Sequence, residues 1–220
     1  MRLRLLTVFI LVLTCGFGST FARSEPLSKE VRVGCITNEV TLDTRSFQNS
    51  QAARKKSRKR KPDVIYYPTP PETVAEMLRL ADIKTSDVLY DLGSGDGRIP
   101  IAAAKQFGIR AVGIEIDSKL IVEAESNARS AGVDQLVRFR NEDLFRIDVS
   151  EANVVTLYLS DKLNVLLRPK LLRELRPGSR IVSHDFRMGD WEPEQTVRVP
   201  WGKLYRTVYL WIVPKRLKTR

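Results

Sequence analysis

The fold of this chain is decided by the stretch V-L-Y-D-L-G-S-G-D-G-R at residues 88–98. Its first residues form an apolar run typical of a buried strand, and Asp91 stands where that strand would end. Three glycines follow at alternate positions: Gly93, Gly95 and Gly97. Because glycine has no Cβ, such a loop lets the backbone approach a ligand closely. The stretch predicts a strand and a ligand-binding loop, with a merely tight strand-to-helix turn as the alternative.

Strand and helix patterns alternate on both sides of this loop. T-P-P-E at residues 69–72 has the form of a capping box with proline at the first helical position, which predicts a helix that opens the domain. Further strands are predicted at residues 111–116, 136–140, 154–159 and 180–183. Helices are predicted at residues 102–106, 118–131 and 163–175. A final antiparallel pair is predicted at residues 197–199 and 207–213.

Repeated strand-helix units of this kind are typical of one architecture. They predict an α/β fold with a doubly wound, mostly parallel, seven-stranded sheet. The last two strands add an antiparallel C-terminal edge. One such domain is expected over residues 62–214, since 220 residues leave room for one full core and little more.

The spacing of the glycines excludes one class of ligand. A dinucleotide fingerprint requires G-x-G-x-x-G, but the third position after Gly95 is Arg98, and the third glycine comes one residue early. The loop therefore disfavours NAD.

Acidic residues follow the first three predicted strands. They are Asp91, Glu115 and Asp143. Glu115 stands 22 residues after Gly93, where a carboxylate in Rossmann-type folds accepts the ribose hydroxyls of a nucleotide. Solvated loop acids and helix caps are the alternative, and they account well for Asp117, which is expected to cap the helix at 118–131. They do not account for all three strand-end carboxylates together.

G-x-G-x-G after Asp-Leu resembles motif I of the class I, seven-strand, Rossmann-like S-adenosylmethionine-dependent methyltransferases. Y-P-T-P at 67–70, N-E-D-L-F at 141–145 and G-S-R-I-V-S at 178–183 resemble the mitochondrial lysine methyltransferases that modify ATP synthase and adenine nucleotide translocase. The Dot-type histone lysine methyltransferases are more distantly similar. The resemblance extends over nearly all of residues 66–214. T-L-Y-L-S-D at 156–161 departs from the family motifs and leaves the acceptor open.

The resemblance implies S-adenosylmethionine as the cofactor and a role for each candidate residue. Asp91 would orient the glycine loop and hold the methionine amino group. Glu115 would hold the ribose, and Asp143 the adenine amino group, with Leu144 or Phe145 packed on the ring. The cofactor-binding set is thus Asp91, Gly93, Gly95, Gly97, Glu115 and Asp143.

The acceptor is expected to be a protein lysine, whose amine must lose its proton before it attacks. Aromatic side chains favour that loss by removing water, and four are available: Tyr66, Tyr67, Tyr158 and Phe186. His184 follows the fifth strand, where it would accept a proton near neutral pH. No catalytic residue is fixed by the sequence; the candidates are Tyr67, Tyr158 and His184. The alternatives are an RNA or small-molecule methyltransferase and a non-catalytic cofactor-binding or tethering protein.

The N-terminal residues differ in composition from the predicted domain. Residues 1–22 resemble a signal peptide or membrane anchor, which predicts export or membrane anchoring, with a cytoplasm-facing, membrane-associated protein as the alternative. Residues 23–61 predict a disordered basic linker, and residues 215–220 a basic tail.

Positive charge is concentrated in that linker. The chain carries a net charge of +11, but residues 62–220 hold 24 Lys and Arg against 22 Asp and Glu. Seven of the eight residues from Arg54 to Lys61 are basic, which suits an anionic membrane or an acidic partner; nucleic acid stays open. Two cysteines, Cys15 and Cys35, and one histidine predict no zinc or other metal site.

Overall fold

The computed structural model describes residues 66–215 of the chain. The leader, the linker with its basic run, and both cysteines lie outside the described residues, as does the tail after Lys215. The elements are α1 (Pro71–Leu80), β1 (Val88–Leu92), α2 (Arg98–Phe107), β2 (Arg110–Glu115), α3 (Ser118–Ser130), β3 (Val137–Asn141), β4 (Val154–Leu157), α4 (Asp161–Glu174), β5 (Arg180–His184), β6 (Gln195–Trp201) and β7 (Leu204–Ile212). No helix in this part of the chain is long and apolar enough to span a membrane.

The seven strands form one sheet in the order β3-β2-β1-β4-β5-β7-β6. The first five are parallel, and β7 runs antiparallel between β5 and β6. The predicted fold class is therefore confirmed. Successive strands are added outward from β1 in one direction and then, from β4, in the other. In open α/β sheets, ligands bind at such a reversal, in the crevice above the carboxyl ends of the strands.

Two apolar cores cover the two faces of the sheet. Successive side chains of a strand point to opposite faces, so Val154 and Val155 of β4 are each fully buried but belong to different cores. One core receives α1, α2 and α3, and the other receives α4. This double burial explains why the parallel strands read as short, nearly continuous apolar runs.

The ends of two helices show where local sequence patterns succeed and fail. Asp117 caps α3 as expected, with its side chain accepting a hydrogen bond from the Lys119 amide. The capping box predicted at residues 69–72 is wrong. Pro70 occupies the N-cap position of α1 and offers no side-chain acceptor. The hydroxyl of Thr69, one residue too early to cap, lies 3.2 Å from Nδ1 of His184 instead.

Helix α4 offers a direct test of what holds this architecture together. Leu167 is fully buried against the sheet, whereas its neighbour Leu166 is exposed. Leu167→Ala is expected to lower the free energy of unfolding by about 2–5 kcal/mol, because it removes apolar contacts and leaves a cavity. Leu166→Ala is the control and should change it by less than about 0.5 kcal/mol. Urea unfolding measures both, and equal losses would contradict the assignment of the buried face.

Candidate active site

A cavity of about 620 Å³ opens at the carboxyl ends of the parallel strands. It lies where the strand order reverses, and its wall includes Asp91 of β1 and Glu115, the last residue of β2. Of the six predicted cofactor-binding residues, four line it: Asp91, Gly93, Glu115 and Asp143. All four predicted aromatic candidates line it as well: Tyr66, Tyr67, Tyr158 and Phe186. The structure thus brings most of the residues predicted from the sequence together in one cavity.

Gly95 and Gly97 do not line the cavity, although the sequence predicted them with Gly93. Gly95 has a φ of +54°, and a Cβ there would lie 2.3 Å from a ring carbon of Tyr66. A Cβ at Gly97 would lie 2.4 Å from the ring of Phe139. These two glycines make room for side chains that pack on the loop, whereas Gly93 forms part of the wall.

Glu115 holds the glycine loop in place. One carboxylate oxygen accepts a hydrogen bond from the Gly95 amide at 3.0 Å. The other accepts from the amides of Ile116 and Asp117 at 2.7 and 2.9 Å. The side chain is buried at the cavity wall, so its position is fixed before any ligand arrives. Because a carboxylate has about four lone-pair directions, it retains capacity for a ligand hydroxyl.

Asp91 is a carboxyl group kept from water at the base of the cavity. Burial raises its pKa to about 8, and the nearby Glu115 and Asp96 carboxylates add to the rise. The hydroxyl of Thr156 donates a hydrogen bond to it at 2.7 Å, which opposes that rise in pKa. A buried acid of this kind is suited to binding a cationic group, because the positive charge would stabilise the ionised carboxylate.

Asp143 and Leu144 lie together on the cavity wall beyond β3. One oxygen of Asp143 accepts a hydrogen bond from the Phe145 amide at 3.0 Å, which orients the carboxylate. Of the two apolar residues predicted to face the ligand, Leu144 lines the cavity, while Phe145 packs against the core on the α4 face.

A short segment before α1, residues 66–69, covers one side of the cavity; we call it the strap. All four of its residues line the wall. Arg98 donates a hydrogen bond to the Thr69 carbonyl at 2.8 Å and pairs with Asp96 at 2.7 Å. The sequence did not predict this hydrogen bond between Arg98 and the strap, because Arg98 was used only to exclude a dinucleotide-binding loop. The available signal was the pair of opposite charges, Asp96 and Arg98, on either side of the third glycine.

The aromatic side chains beyond β4 and β5 form another part of the wall. The ring of Tyr158 lies 5.8 Å from that of Phe186, with an angle of 25° between the planes. On its other side Tyr158 stacks on His184, with the ring centres 3.8 Å apart and the planes at 24°.

His184 differs from its predicted placement in a loop. It is the last residue of β5, is fully buried and does not line the cavity. Burial lowers its pKa to about 4; Asp185 opposes that shift and Arg206 adds to it. This shift runs against the expectation that His184 accepts a proton near neutral pH. The sequence could not show that Tyr158 and the strap enclose it.

The cavity wall is rich in acids. Six carboxyl side chains line it, against one guanidinium, that of Arg98; the acids are Asp91, Asp96, Glu115, Asp117, Glu142 and Asp143. Within residues 66–215 no group of three or more His, Cys, Asp or Glu side chains has the arrangement of a metal site. The excess of acids on the wall favours cationic ligands.

Comparison with known proteins identifies relatives by sequence. The family model of the ANTKMT methyltransferase domain matches residues 91–195. A protein-lysine N-methyltransferase of Saccharolobus islandicus (strain REY15A) is 44% identical over 153 residues, which make up 69% of this chain and 95% of that protein. The adenine nucleotide translocase lysine N-methyltransferase of Mus musculus is 37% identical over 110 residues, 50% of this chain. The matched region spans only about half, 48%, of the mouse protein.

Solved structures show the same relationship in three dimensions. The crystal structure of an RNA methyltransferase from Salinibacter ruber in complex with S-adenosyl-L-homocysteine is 52% identical, with a TM-score of 0.64. The matched region covers 70% of this chain and 98% of the Salinibacter ruber chain. TrmN from Thermus thermophilus, at 19% identity, shares the fold with a TM-score of 0.56 and covers 64% of this chain and 48% of that one.

The raised pKa of Asp91 predicts a specific dependence of stability on pH. Its folded pKa of about 8 lies above the unfolded value, so the folded state holds the proton more tightly. Stability should therefore fall as pH rises from about 4 to about 8. Asp91→Asn removes this loss, and the free energy of unfolding should rise by at least about 1 kcal/mol more at pH 8 than at pH 5. Denaturant unfolding at both pH values tests it. A gain independent of pH would show that Asp91 is ionised throughout.

Proposed function

This chain belongs to the seven-strand S-adenosylmethionine-dependent methyltransferases, and we propose that it methylates the side-chain amine of lysine in a protein substrate. Membership rests on the Saccharolobus islandicus relative, matched over nearly its whole length, and on the fold shared with the Salinibacter ruber enzyme. The predicted family, enzyme class and cofactor are thereby confirmed. The roles of individual residues and the acceptor are our proposal.

The cavity suits S-adenosylmethionine in size and charge. Its volume of about 620 Å³ lies within the usual range for small-molecule sites. We assign the methionine amino group to Asp91, the ribose hydroxyls to Glu115 and the adenine to Asp143 and Leu144. The ligand carries an ammonium and a sulfonium, and both match the excess of carboxylates on the wall.

The sulfonium supplies a methyl group that is already electrophilic. The protein's part is to align the acceptor with that methyl group and to exclude water. The strap and the rings of Tyr158 and Phe186 line the cavity and cover part of it. No general acid is needed, because the leaving group departs as a neutral thioether.

A lysine amine must be neutral to attack. The rings of Tyr67, Tyr158 and Phe186 would surround the incoming side chain and strip water from it, which lowers the pKa of an amine. His184 is not available as a base at this position, since it lies behind Tyr158 and does not reach the cavity.

The acidic wall is the observation that carries the choice of a lysine over a nucleic acid. Besides the protonated acid Asp91, five carboxylates line the cavity against one guanidinium, and this excess attracts a lysine cation and repels backbone phosphates. Residues 62–220 carry nearly balanced charges and lack the strong basic excess of a nucleic-acid surface. RNA methylation is the second candidate, because the Salinibacter ruber relative is an RNA methyltransferase.

The N-terminal residues contribute a separate proposal. The leader remains a prediction of export or membrane anchoring. Residues 54–61, with seven basic side chains, are proposed to bind an anionic membrane or an acidic partner. This attraction would bring the enzyme to its substrate without taking part in the reaction.

The acceptor proposal is tested with tritiated S-adenosylmethionine and the full chain, incubated separately with the protein and the RNA of a cell extract. Label should enter protein and, after acid hydrolysis, should elute as methylated lysine. Glu115→Ala provides the low-activity control. Label recovered only in RNA nucleosides would instead establish the second candidate.

Glu115 should contribute directly to donor affinity. Glu115→Ala is expected to weaken S-adenosylmethionine binding by about 1–3 kcal/mol, because ribose hydroxyls lose a charged acceptor and the loop loses its anchor. Glu115→Gln keeps one oxygen for the loop amides and should lose less. Isothermal titration calorimetry measures both, and NAD should give no heat with the unchanged chain. Unaltered affinity in a folded Glu115→Ala protein would remove this residue from the site.

A further inference from the structure

His184 lies where three parts of the site meet. Its Nδ1 is 3.2 Å from the hydroxyl of Thr69 in the strap, 115 positions away in sequence. Its ring stacks on the hidden face of Tyr158 with the centres 3.8 Å apart. Its backbone ends β5. One buried ring therefore touches both the strap and the aromatic part of the cavity wall.

The chemistry of its neighbours assigns the hydrogens on this ring. A carboxylate only accepts, and the Asp185 carboxylate lies 3.4 Å from Nε2, which favours the tautomer with the hydrogen on Nε2. Nδ1 is then free to accept from the Thr69 hydroxyl. The contact with Asp185 is long, and Nε2 makes no full hydrogen bond to the residues that the structure describes. Packing alone would be served as well by phenylalanine, without a buried polar nitrogen.

The backbone next to His184 is strained. Asp185 has a φ of +59°, a left-handed conformation that is uncommon for a residue other than glycine. It is held there by two hydrogen bonds with Thr207 and by the Arg206 guanidinium at 2.9 Å. Strain of this kind persists where the surroundings impose it, and it clusters at functional sites. Here it turns the chain directly after the histidine.

We propose that His184 is a positioning residue that sets the donor side and the acceptor side of the cavity by two separate contacts. Its Nδ1 holds the strap through Thr69, and its ring holds Tyr158 against the cavity. It touches neither ligand and takes no proton from the acceptor. The proposal rests on the function proposed above for the acceptor side, and the donor contact can be measured by binding alone.

Two substitutions separate the two contacts. His184→Phe keeps a ring behind Tyr158 but has no acceptor for Thr69. His184→Asn keeps an oxygen near the position of Nδ1 but has no ring. Thr69→Val removes the same hydrogen bond from the other side, and Thr69→Ser, which keeps the hydroxyl, is its matched control.

The strap contact is measured as the rate at which S-adenosylmethionine dissociates, by stopped-flow fluorescence. The rate should rise about tenfold in His184→Phe and in Thr69→Val, the range expected for one lost hydrogen bond. The double variant should add nothing further, since both changes remove the same bond. His184→Asn and Thr69→Ser should stay within about twofold of the unchanged chain.

The wall contact is measured without any acceptor. S-adenosylhomocysteine lacks the methyl group, whereas sinefungin has an amine-bearing carbon in place of the methylated sulfur and so extends to the acceptor side. The ratio of their affinities should shift against sinefungin by about fivefold to tenfold in His184→Asn, while His184→Phe should preserve it. This readout stands even if the acceptor proves to be RNA.

Several results would overturn the proposal. Parallel changes in both measurements for every variant, following the melting temperature, would reduce His184 to packing. A pH-rate profile that loses its acidic limb in His184→Asn would make it a proton acceptor, with Asp185 and Arg206 as the charged groups that face it. If the His184 variants do not fold, the Thr69 pair decides, and unchanged dissociation from Thr69→Val would refute the strap contact.

Discussion

The hydrogen bond from the Gly95 amide to the Glu115 carboxylate joins the parts on which this site depends. It ties the loop after β1 to the end of β2. The same carboxylate also accepts hydrogen bonds from the amides that lead into α3. One side chain therefore holds the glycine loop and the turn between β2 and α3 together. Gly95 in turn leaves the space that Tyr66 fills, which seats the start of the strap. One set of contacts thus holds together the glycine loop, the strap and Glu115, the proposed acceptor for the ribose hydroxyls.

Much of this arrangement could be predicted from sequence because it is local. The glycine loop, the strand-end carboxylates and the cap of Asp117 each arise within a few residues, and parallel strands necessarily bring their carboxyl ends to one edge. The aromatic candidates also came together as expected. The sequence also lacks a dinucleotide fingerprint, because Arg98 stands where the third glycine of that motif would be.

The parts that sequence could not supply are contacts between distant residues. The 69–72 motif has every feature of a capping box, but whether Thr69 caps a helix or binds His184 is decided by how the strap crosses β5. The same packing fully buries a histidine that the sequence placed after the fifth strand. Gly95 and Gly97 likewise matched a ligand motif, yet they serve side-chain packing. Contacts with distant residues therefore gave Thr69, His184 and the two glycines surroundings that the sequence did not predict.

The site keeps a buried carboxyl group, Asp91, at a cost in stability. The buried acid Asp91 is costly to ionise without a cation nearby, and a cationic donor offsets that cost. A crystal structure of the chain with S-adenosylhomocysteine tests this account most directly. The account predicts the amino group at Asp91, the ribose at Glu115, the adenine beside Leu144 and the sulfur directed toward Tyr158 and Phe186. A ligand bound outside this cavity, or one reversed within it, would contradict the account.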